Sequence, residues 1–260
     1  MDTLMQQDKL VVDHVKKSFG TNEVLGDISF TVKDGEFLSI LGPSGCGKTT
    51  ILRILIGLTA PDGGVLYKDG RDITHLPPAK RGMGIVFQNY ALFENMTVLG
   101  NVEYALKRNR ETRGEARQIA LRLIEQVGLT EHKDKRPHKL SGGQQQRVAI
   151  ARTLALNPDI ILFDEPMSAL DVDTRLSLRQ ELKAIQKQFG STMVYITHDQ
   201  EEAFAMSDRI MVMNSGAIEQ LDTPRNLVDH PASAYVERFV LHNIRLKIDS
   251  LLPYAGDRHA

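Results

Sequence analysis

The sequence has very little cysteine and no long apolar run. Its one cysteine, Cys46, cannot form a disulfide within the chain, so the fold must hold without one and suits a reducing compartment. Nowhere does the sequence approach the roughly 18 consecutive apolar residues that a membrane-spanning helix needs, and the start of the chain lacks the apolar segment of a secretory signal. We therefore expect a soluble chain, with the cytosol as its default compartment.

The sequence also lacks an excess of either charge. Its 260 residues include 32 basic and 33 acidic side chains, for a formal net charge of -1. Proteins that bind nucleic acid usually have a basic surface, so the overall charge gives no support for a nucleic-acid partner, although a local basic patch stays open. Hydrophobic residues at 42% and charged residues at 25% are ordinary for a globular protein. The length allows one compact domain, or one core with a smaller lobe.

Short apolar runs separated by helical segments predict the buried strands of a parallel sheet. These runs are residues 37–41, 85–87, 160–163, 193–196 and 210–213. Residues 10–15 and 28–32 are closer together, with a turn around Gly20, and favour an antiparallel hairpin. Because strands that alternate with helices are joined by right-handed crossovers, we predict an α/β fold with a mixed, mostly parallel sheet and an antiparallel N-terminal part.

Apolar residues at helical spacing predict two amphipathic helices. One covers residues 115–127, and Gly128 follows it where a left-handed C-terminal cap is expected. The other covers residues 178–189 and is closed by Gly190. Residues 89–157 contain helical patterns but no clear strand, so we predict that they form a helical subdomain inserted into the α/β core.

A glycine-rich segment follows the first apolar run. It reads Gly42, Pro43, Ser44, Gly45, Cys46, Gly47, Lys48 and Thr49, with Thr50 opening a helical segment. This is the phosphate-loop pattern of P-loop NTPases, in which glycines let backbone amides surround an anion at a helix N-terminus. Lys48 is then expected to reach the β- and γ-phosphates of a nucleotide, and Thr49 to ligate Mg²⁺. The alternative is a glycine-rich turn that happens to contain a lysine, which the flanking strand and helix disfavour.

The second half of such a site must hold the metal and activate water. Asp164 and Glu165 follow the apolar run at residues 160–163, at the strand end where α/β sheets bind ligands. Asp164 suits the Mg²⁺ shell, and Glu165 suits positioning or deprotonating the attacking water. Acidic residues also often follow buried strands as helix caps, so this pair alone is a weak signal.

Residues 140–147 read LSGGQQQR, and with this segment the chain resembles the ATP-binding-cassette (ABC) ATPases. A serine followed by glycines exposes amides and a hydroxyl at a helix start, which makes a second anion-binding nest; a flexible helix cap is the alternative. The resemblance runs from about Leu10 to Phe239, with the motifs in the family's order. It implies that the nest, Ser141, Gly142, Gly143 and Gln144, binds the γ-phosphate of ATP held by the opposite subunit.

The resemblance also implies roles for single residues elsewhere. Phe19 would stack on adenine, and Gln88 would contact Mg²⁺ or water and link the nucleotide to the helical subdomain. Asp171 would contact the partner's nucleotide site, and His198 the γ-phosphate. Phe19 is alternatively a core aromatic, and a lone histidine is usually structural. The implied catalytic residues are Lys48, Gln88, Glu165 and His198, and the implied metal ligands are Thr49, Gln88 and Asp164.

The resemblance further implies partners. Two copies would close head to tail over two ATP molecules, each phosphate loop facing the other's residues 141–145, so that an isolated subunit has an incomplete site. Residues 88–93, with Met96 and Val98, form an apolar cluster that in this family accepts a short helix of a membrane permease. The chain would then lie at the cytoplasmic face of the inner membrane, held by the permease and linked indirectly to a solute-binding protein, with no nucleic-acid partner.

The tail of the chain resembles that of bacterial importers for polyamines, ferric iron, phosphonates, sulfate or maltose. We therefore expect residues 1–240 to form the nucleotide-binding domain of an importer. Residues 241–260 would be a short extension in a chain that lacks the regulatory β-domain of some relatives or is truncated before it. Two alternatives are a soluble ATPase of the same superfamily in DNA repair or translation, and a regulatory module without turnover. Balanced charge and a single cassette speak against the first, and Glu165 and His198 against the second.

Overall fold

The computed structural model describes residues 8–168 and 170–252, and within them the strands form two sheets. The strands are β1 (Asp8–Phe19), β2 (Asn22–Lys33), β3 (Phe37–Leu41), β4 (Gly63–Lys68), β5 (Arg71–Asp72), β6 (Met83–Val86), β7 (Ile160–Asp164), β8 (Thr192–Thr197), β9 (Arg209–Asn214) and β10 (Ala217–Asp222). The first sheet is antiparallel with the order β2-β1-β4-β5, and the second has the order β10-β9-β3-β8-β7-β6. Its described pairings are parallel except that of β9 with β10. The predicted α/β class is confirmed.

The predicted N-terminal hairpin consists of β1 and β2. Val12 pairs with Phe30 and Phe19 pairs with Asn22, so the chain reverses at Gly20 and the residue after it. Gly20 has a φ of 62°, in the left-handed region that glycine adopts without steric cost. The two strands are longer than the sequence predicted. The first sheet also contains β4 and β5, for which no prediction was made.

The central strands of the second sheet are buried on both faces, as the unbroken apolar runs predicted. Successive side chains of a strand point to opposite faces. On one face, Phe37 of β3 and Phe163 of β7 each lie 5.9 Å, between ring centroids, from Tyr195 of β8. On the other face, Ile40 and Leu162 belong to the core that includes the first sheet. The sheet therefore separates two cores and presents the ends of β3, β7 and β8 at one edge.

The helices largely follow the predicted periodicity. They are α1 (Lys48–Ile56), α2 (Val98–Leu106), α3 (Ala116–Gln126), α4 (Gly142–Leu154), α5 (Val172–Phe189), α6 (Gln200–Met206), α7 (Pro224–Asp229), α8 (Ala234–Val236) and α9 (Asn243–Leu251). The two amphipathic helices predicted from spacing are α3 and α5, and Gly128 and Gly190 have φ values of 68° and 59°, as left-handed caps require. No helix in the described ranges is long and apolar enough to cross a membrane.

Between β6 and β7, the described chain contains α2, α3 and α4 and no strand, which is the content predicted for residues 89–157. The three helices share one core with Phe163 and Tyr195 of the sheet. The buried Asn101 fixes the entry into this region, because its side chain accepts from the amide of Phe93 and donates to the carbonyls of Phe93 and Thr97. The division into subdomains itself stays a prediction.

The C-terminal part of the chain packs back onto the second sheet. Leu227 of α7, with Val236 and Val240, covers Leu41 and Ile210. Residues between α8 and α9 form a short π-helical turn, Glu237–His242. Of the predicted extension at residues 241–260, the first part includes α9, and residues 253–260 lie outside the described residues, as does Ala169 in the loop before α5.

Candidate functional site

The phosphate loop joins β3 to α1 at the edge where the second sheet's parallel strands end. Gly47, the residue before α1, has a φ of 104°, and a Cβ there would lie 2.6 Å from a side-chain carbon of Leu25. A Cβ on Gly42 would lie 2.6 Å from the carbonyl oxygen of Met213. Both positions therefore require glycine, and the loop forms a cradle that larger residues would fill.

Lys48 lies inside this cradle. Its side chain is 4% exposed, and its ammonium donates to the carbonyls of Gly42 at 2.7 Å and Pro43 at 2.9 Å. Oε1 of Glu165 lies 3.9 Å from the same nitrogen. Burying an ammonium is costly unless it is paired, and two neutral carbonyls with one carboxylate at 3.9 Å compensate its charge only in part. The loop is therefore suited to an anion.

A cavity of about 440 Å³ opens over the loop. Its lining includes Phe19, Val24, Ser44, Gly45, Gly47, Lys48, Thr49, Thr50 and Glu165. Phe19 is 54% exposed, so the alternative that it is a core aromatic is wrong. The side chain of the loop residue Cys46 is buried, and burial raises the pKa of its thiol, as for a small side chain that fills space rather than reacts.

Thr49 and Asp164 meet at the floor of the site. The Thr49 hydroxyl donates to Oδ1 of Asp164 at 3.2 Å, across 115 residues of sequence. Burial raises the pKa of Asp164, and the Thr49 hydrogen bond opposes that rise. The described residues contain no cluster of three His, Cys, Asp or Glu side chains that could hold a metal unaided. A hydroxyl and one carboxylate beside an anion cradle fit Mg²⁺, which is bound with few protein ligands, with phosphate oxygens and water completing its shell.

Glu165 is held between two other predicted site residues. Its Oε2 lies 3.1 Å from Nδ1 of His198, and its Oε1 faces Lys48. Its φ of 44° is in the left-handed region, which is uncommon for a residue with a side chain and is a form of strain found at functional sites. Its amide donates to the carbonyl of Ile196 on the neighbouring β8. The sheet therefore fixes the carboxylate at the cavity's edge.

Gln88 follows β6 and reaches the same region. Its side-chain amide donates to the hydroxyl of Ser168 at 3.1 Å, and that hydroxyl donates to the carbonyl of Glu165 at 3.1 Å. The structure thus brings Gln88 next to the loop that carries Glu165. None of the hydrogen bonds described for Gln88 joins it to Asp164 or Thr49.

Ser141 and Asp171 begin two helices outside the cavity. The Ser141 hydroxyl accepts from the amide of Gln144 at 3.3 Å, and the Gln144 side chain accepts from the amide of Ser141 at 3.1 Å, which is a capping box at α4. Asp171 caps α5 by accepting from the amide of Thr174 at 2.9 Å. The residues described as lining the cavity include neither Asp171 nor any of Ser141 to Gln144. The cap interpretation of Ser141 therefore holds within one chain, and its anion-binding interpretation needs a ligand from elsewhere.

The predicted apolar cluster divides into a buried part and a groove. Tyr90 and Val98 are buried in the core of the helical region. Ala91 and Phe93 instead line a mostly apolar cavity of about 460 Å³. Its other lining residues include Leu58, Phe87, Tyr104, Arg152 and Leu156. The structure thus contains a groove, but fewer residues of the predicted cluster line it than expected.

Sequence reasoning missed two arginines, one at the groove and one at the catalytic edge. Arg152 of α4 donates to the carbonyls of Ala91 and Tyr90 at 2.7 and 3.1 Å, where both residues have positive φ. Arg175 of α5 connects the loop before that helix to the turn after His198. Their only sequence signal was a basic residue a few positions from a motif, Arg152 after the segment at residues 140–147 and Arg175 after Asp171, which is too common to select them.

Three comparisons with known proteins agree with this geometry. The family model ABC_tran, described as ABC transporter, matches residues 25–168. The chain is 49% identical over 233 residues to the sulfate/thiosulfate import ATP-binding protein CysA 2 of Chromobacterium violaceum, covering 90% of this chain and 63% of that one. It is 47% identical over 232 residues to the spermidine/putrescine import ATP-binding protein PotA of Bacillus cereus, covering 89% of this chain and 71% of the relative.

Among solved structures, the chain is similar to the ATP-binding cassette MJ0796, described as a dimer in a post-hydrolysis state bound to ADP and Pi. The TM-score is 0.74 at 37% identity, covering 83% of this chain and 99% of that one. The predicted resemblance and fold are confirmed. Because the chain spans 63% of the length of the CysA 2 relative, conclusions about the activity, substrates and partners of a whole protein need their own argument.

Proposed function

The chain belongs to the ABC transporter family, and from that membership we propose that it is the ATP-hydrolysing subunit of an ABC importer. It would couple ATP binding, dimer closure and hydrolysis to solute uptake through a separate membrane permease. The observation that carries the proposal is the position of Glu165, whose carboxylate faces Lys48 and His198 at the edge of the phosphate-loop cavity. A binding module without turnover does not need a carboxylate held there. The relatives' names do not favour a role in DNA repair or translation.

The proposed roles follow from where the side chains lie. The loop amides and Lys48 would bind the phosphates, and Phe19, exposed at the cavity rim, would stack on the base. Thr49 and Asp164 would hold Mg²⁺, with Gln88 reaching it from the facing loop. When bound, Mg²⁺ neutralises charge on the phosphate oxygens.

Glu165 would take the proton of the attacking water, since a carboxylate oriented by two neighbours is a suitable general base. His198, which is 57% exposed, would contact the γ-phosphate and hold Glu165 in place. The protein's contribution is then mostly positioning and electrostatics.

A second copy is proposed to complete the site. Ser141 to Gln144 and Asp171 begin neighbouring helices: a Cβ on Gly142 would lie 3.2 Å from Leu170, and one on Gly143 2.5 Å from Thr174. The N-terminus of α4, which is capped by the neutral hydroxyl of Ser141, is suited to an anion, whereas the N-terminus of α5 already holds the carboxylate of Asp171. Since the N-terminus of α4 is separate from the chain's own cavity, the proposed anion is the γ-phosphate bound by the other copy.

The dimer is tested by replacing Ser141 with Arg. Loss of the capping hydrogen bond costs about 1 kcal/mol, which lowers the melting temperature by about 2–4 °C for a domain of this size. We expect ATP hydrolysis per subunit to fall at least tenfold, an order-of-magnitude figure for lost transition-state donors, while the monomer's affinity for ATP stays within about twofold. The measurements are Mg²⁺-ATPase activity across protein concentrations and equilibrium ATP binding to dilute protein.

The control is Thr130→Arg, which adds the same side chain at an exposed position of the helical region. It should leave both quantities unchanged. In the wild type, activity per subunit should rise with protein concentration. Activity per subunit that does not depend on protein concentration would contradict the shared site. So would a loss of the monomer's ATP affinity in Ser141→Arg as large as its loss of ATP hydrolysis.

The permease is proposed to bind with a short helix in the apolar groove lined by Ala91, Phe93 and Leu156, and this contact can be tested by mutation. Leu156 lines the groove and is 54% exposed, whereas Leu246 on α9 is 53% exposed and is not among the groove's described residues. Replacing Leu156 with Asp should abolish stable association with the membrane permease, since a carboxylate buried in an apolar contact loses its hydration. The association is measured by co-purification in detergent, and basal ATPase activity should not change.

Leu246→Asp is the matched control and should associate like the wild type. Equal association of both variants would remove the groove from the proposal. The proposed location, at the cytoplasmic face of the inner membrane and peripheral through the permease, depends on this contact. The solute-binding protein would act on the permease and not on this chain directly.

A further inference from the structure

We propose that Arg175 is a positioning residue that links the partner-facing loop before α5 to the turn carrying His198. Through this link, the position of the loop would control the position of His198, and hydrolysis would depend on contact with the second copy. The inference rests on the proposed function and adds to it a connection between the dimer surface and the catalytic edge.

The first half of the link is the contact with the loop. One guanidinium nitrogen of Arg175 donates to the carbonyl of Leu170 at 3.0 Å. Leu170 directly precedes Asp171, which is exposed and caps α5. Any shift of this loop toward or away from a second copy therefore moves the acceptor of the Arg175 hydrogen bond.

The second half is the contact with the turn. Another nitrogen of Arg175 donates to Oδ2 of Asp199 at 3.3 Å. Oδ1 of Asp199 accepts from the amides of Glu201 and Glu202 at 2.8 and 3.3 Å, which caps α6. His198 is the residue before Asp199, so the cap carboxylate that Arg175 holds is next to the imidazole that faces Glu165.

The turn is firm enough to transmit a displacement. The hydroxyls of Tyr195 and Thr197 donate to the same oxygen of Glu202 at 2.7 and 2.8 Å, and the amide of Asp199 donates to Thr197 at 2.9 Å. The other oxygen of Glu202 lies 3.8 Å from Nε of Arg175. Side-chain hydrogen bonds therefore join β8, the turn and the start of α6, and Arg175 adds a connection from α5.

The same residues enclose a small cavity between the loop and the catalytic pair. Its lining includes Glu165, Ser168, Arg175, Thr197, His198, Asp199 and Glu202, and its volume is about 40 Å³. Arg175 thus lines the same small cavity as Glu165 and His198. The planar guanidinium holds two acceptors in fixed directions, which a lysine ammonium on a flexible chain does less well.

Arg179, one turn further along α5, provides a matched comparison. Its guanidinium lies 4.0 Å from Asp199 and 4.0 Å from Glu201. It therefore supplies a similar charge to the turn, but no described hydrogen bond joins it to the Leu170 carbonyl. Replacing Arg179 changes the local charge, whereas replacing Arg175 also breaks the link.

The test compares Arg175→Met, Arg175→Lys and Arg179→Met in the purified full chain. For Arg175→Met we expect kcat for ATP to fall at least tenfold, an order-of-magnitude figure for a misplaced catalytic group, with KM within about twofold. Arg175→Lys should recover part of the rate, and Arg179→Met should stay within about threefold of wild type. Asp199→Asn, which keeps a good cap, should resemble Arg175→Met, and the double variant should be no worse than either one.

A second readout needs no nucleotide. Hydrogen exchange of the amides in residues 197–202 should be faster in Arg175→Met than in wild type and unchanged in Arg179→Met, with melting temperatures of the two variants alike. The inference is overturned if Arg175→Met keeps both the hydrogen-exchange rates and the kcat of the wild type. It is also overturned if Arg175→Met and Arg179→Met change these quantities equally. If the wild type has no Mg²⁺-ATPase activity the proposed function fails, and the exchange comparison still decides the link.

Discussion

Glu165→Gln is expected to lower kcat for ATP hydrolysis by about 10²- to 10⁴-fold, the usual contribution of a positioned general base. The amide keeps the size and the hydrogen-bonding reach of the carboxylate toward His198, but it cannot accept the water proton. ATP should still bind, because the contacts of Lys48 with the carbonyls of Gly42 and Pro43 and of Thr49 with Asp164 are left in place. The measurements are steady-state turnover and ATP binding, together with light scattering of the ATP-bound protein.

Because turnover stops while ATP binding remains, the variant should also persist as an ATP-bound dimer. In the wild type, ATP hydrolysis would lead to dissociation of this dimer. Glu125→Gln is the control, since Glu125 is an exposed acid of α3 outside the site, and it should turn over like the wild type. Wild-type turnover in Glu165→Gln would remove Glu165 as the base. Loss of ATP binding in that variant would instead point to a role in holding the nucleotide.

Sequence reasoning predicted the parts of this site that consist of contiguous residues. The phosphate loop is one segment whose glycines and lysine follow from the physics of cradling an anion. Asp164 and Glu165 were found because a buried apolar strand ends just before them. Even the position of Thr49 beside Asp164 was expected, because parallel strands of one sheet end at one edge.

Contacts that depend on tertiary packing could not be predicted from the sequence. The 3.1 Å approach of Glu165 to His198 depends on the order of β7 and β8 in the sheet and on the positive φ of Glu165. Arg175 reaches both Leu170 and Asp199 only because α5 packs beside α6. No local periodicity encodes such neighbours, so the residues that connect the motifs were missed while the motifs were found.

The fold shows the same limit. The buried central strands were predicted because parallel strands need apolar side chains on both faces. Residues 217–222, which form the antiparallel strand β10, are only partly buried and include Glu219, Gln220 and Asp222, so no apolar run marked them. Tyr90 and Phe93 have similar apolar character in the sequence, yet one is buried in the core and the other lines the groove.

Lys48→Met is expected to weaken ATP binding by about 10- to 150-fold and to abolish measurable turnover. The first figure corresponds to a charge-assisted hydrogen bond of about 1.5–3 kcal/mol. Met fills nearly the same volume but has no charge and no donor. Turnover suffers further because phosphate charge is no longer compensated where it develops. The measurements are equilibrium ATP binding and Mg²⁺-ATPase activity.

The fold should survive this substitution at a modest cost. The carbonyls of Gly42 and Pro43 lose their donor, and an unsatisfied buried acceptor costs about 1–3 kcal/mol, so a melting curve accompanies each measurement. Lys17→Met is the matched control: its ammonium lies over the Phe19 ring at the cavity rim and pairs with Asp62 at 2.6 Å, outside the loop. A comparable loss of affinity in both variants would mean that the cavity attracts ATP by its general positive charge. A loss confined to Lys48→Met is the result expected if the buried ammonium contacts the phosphates directly.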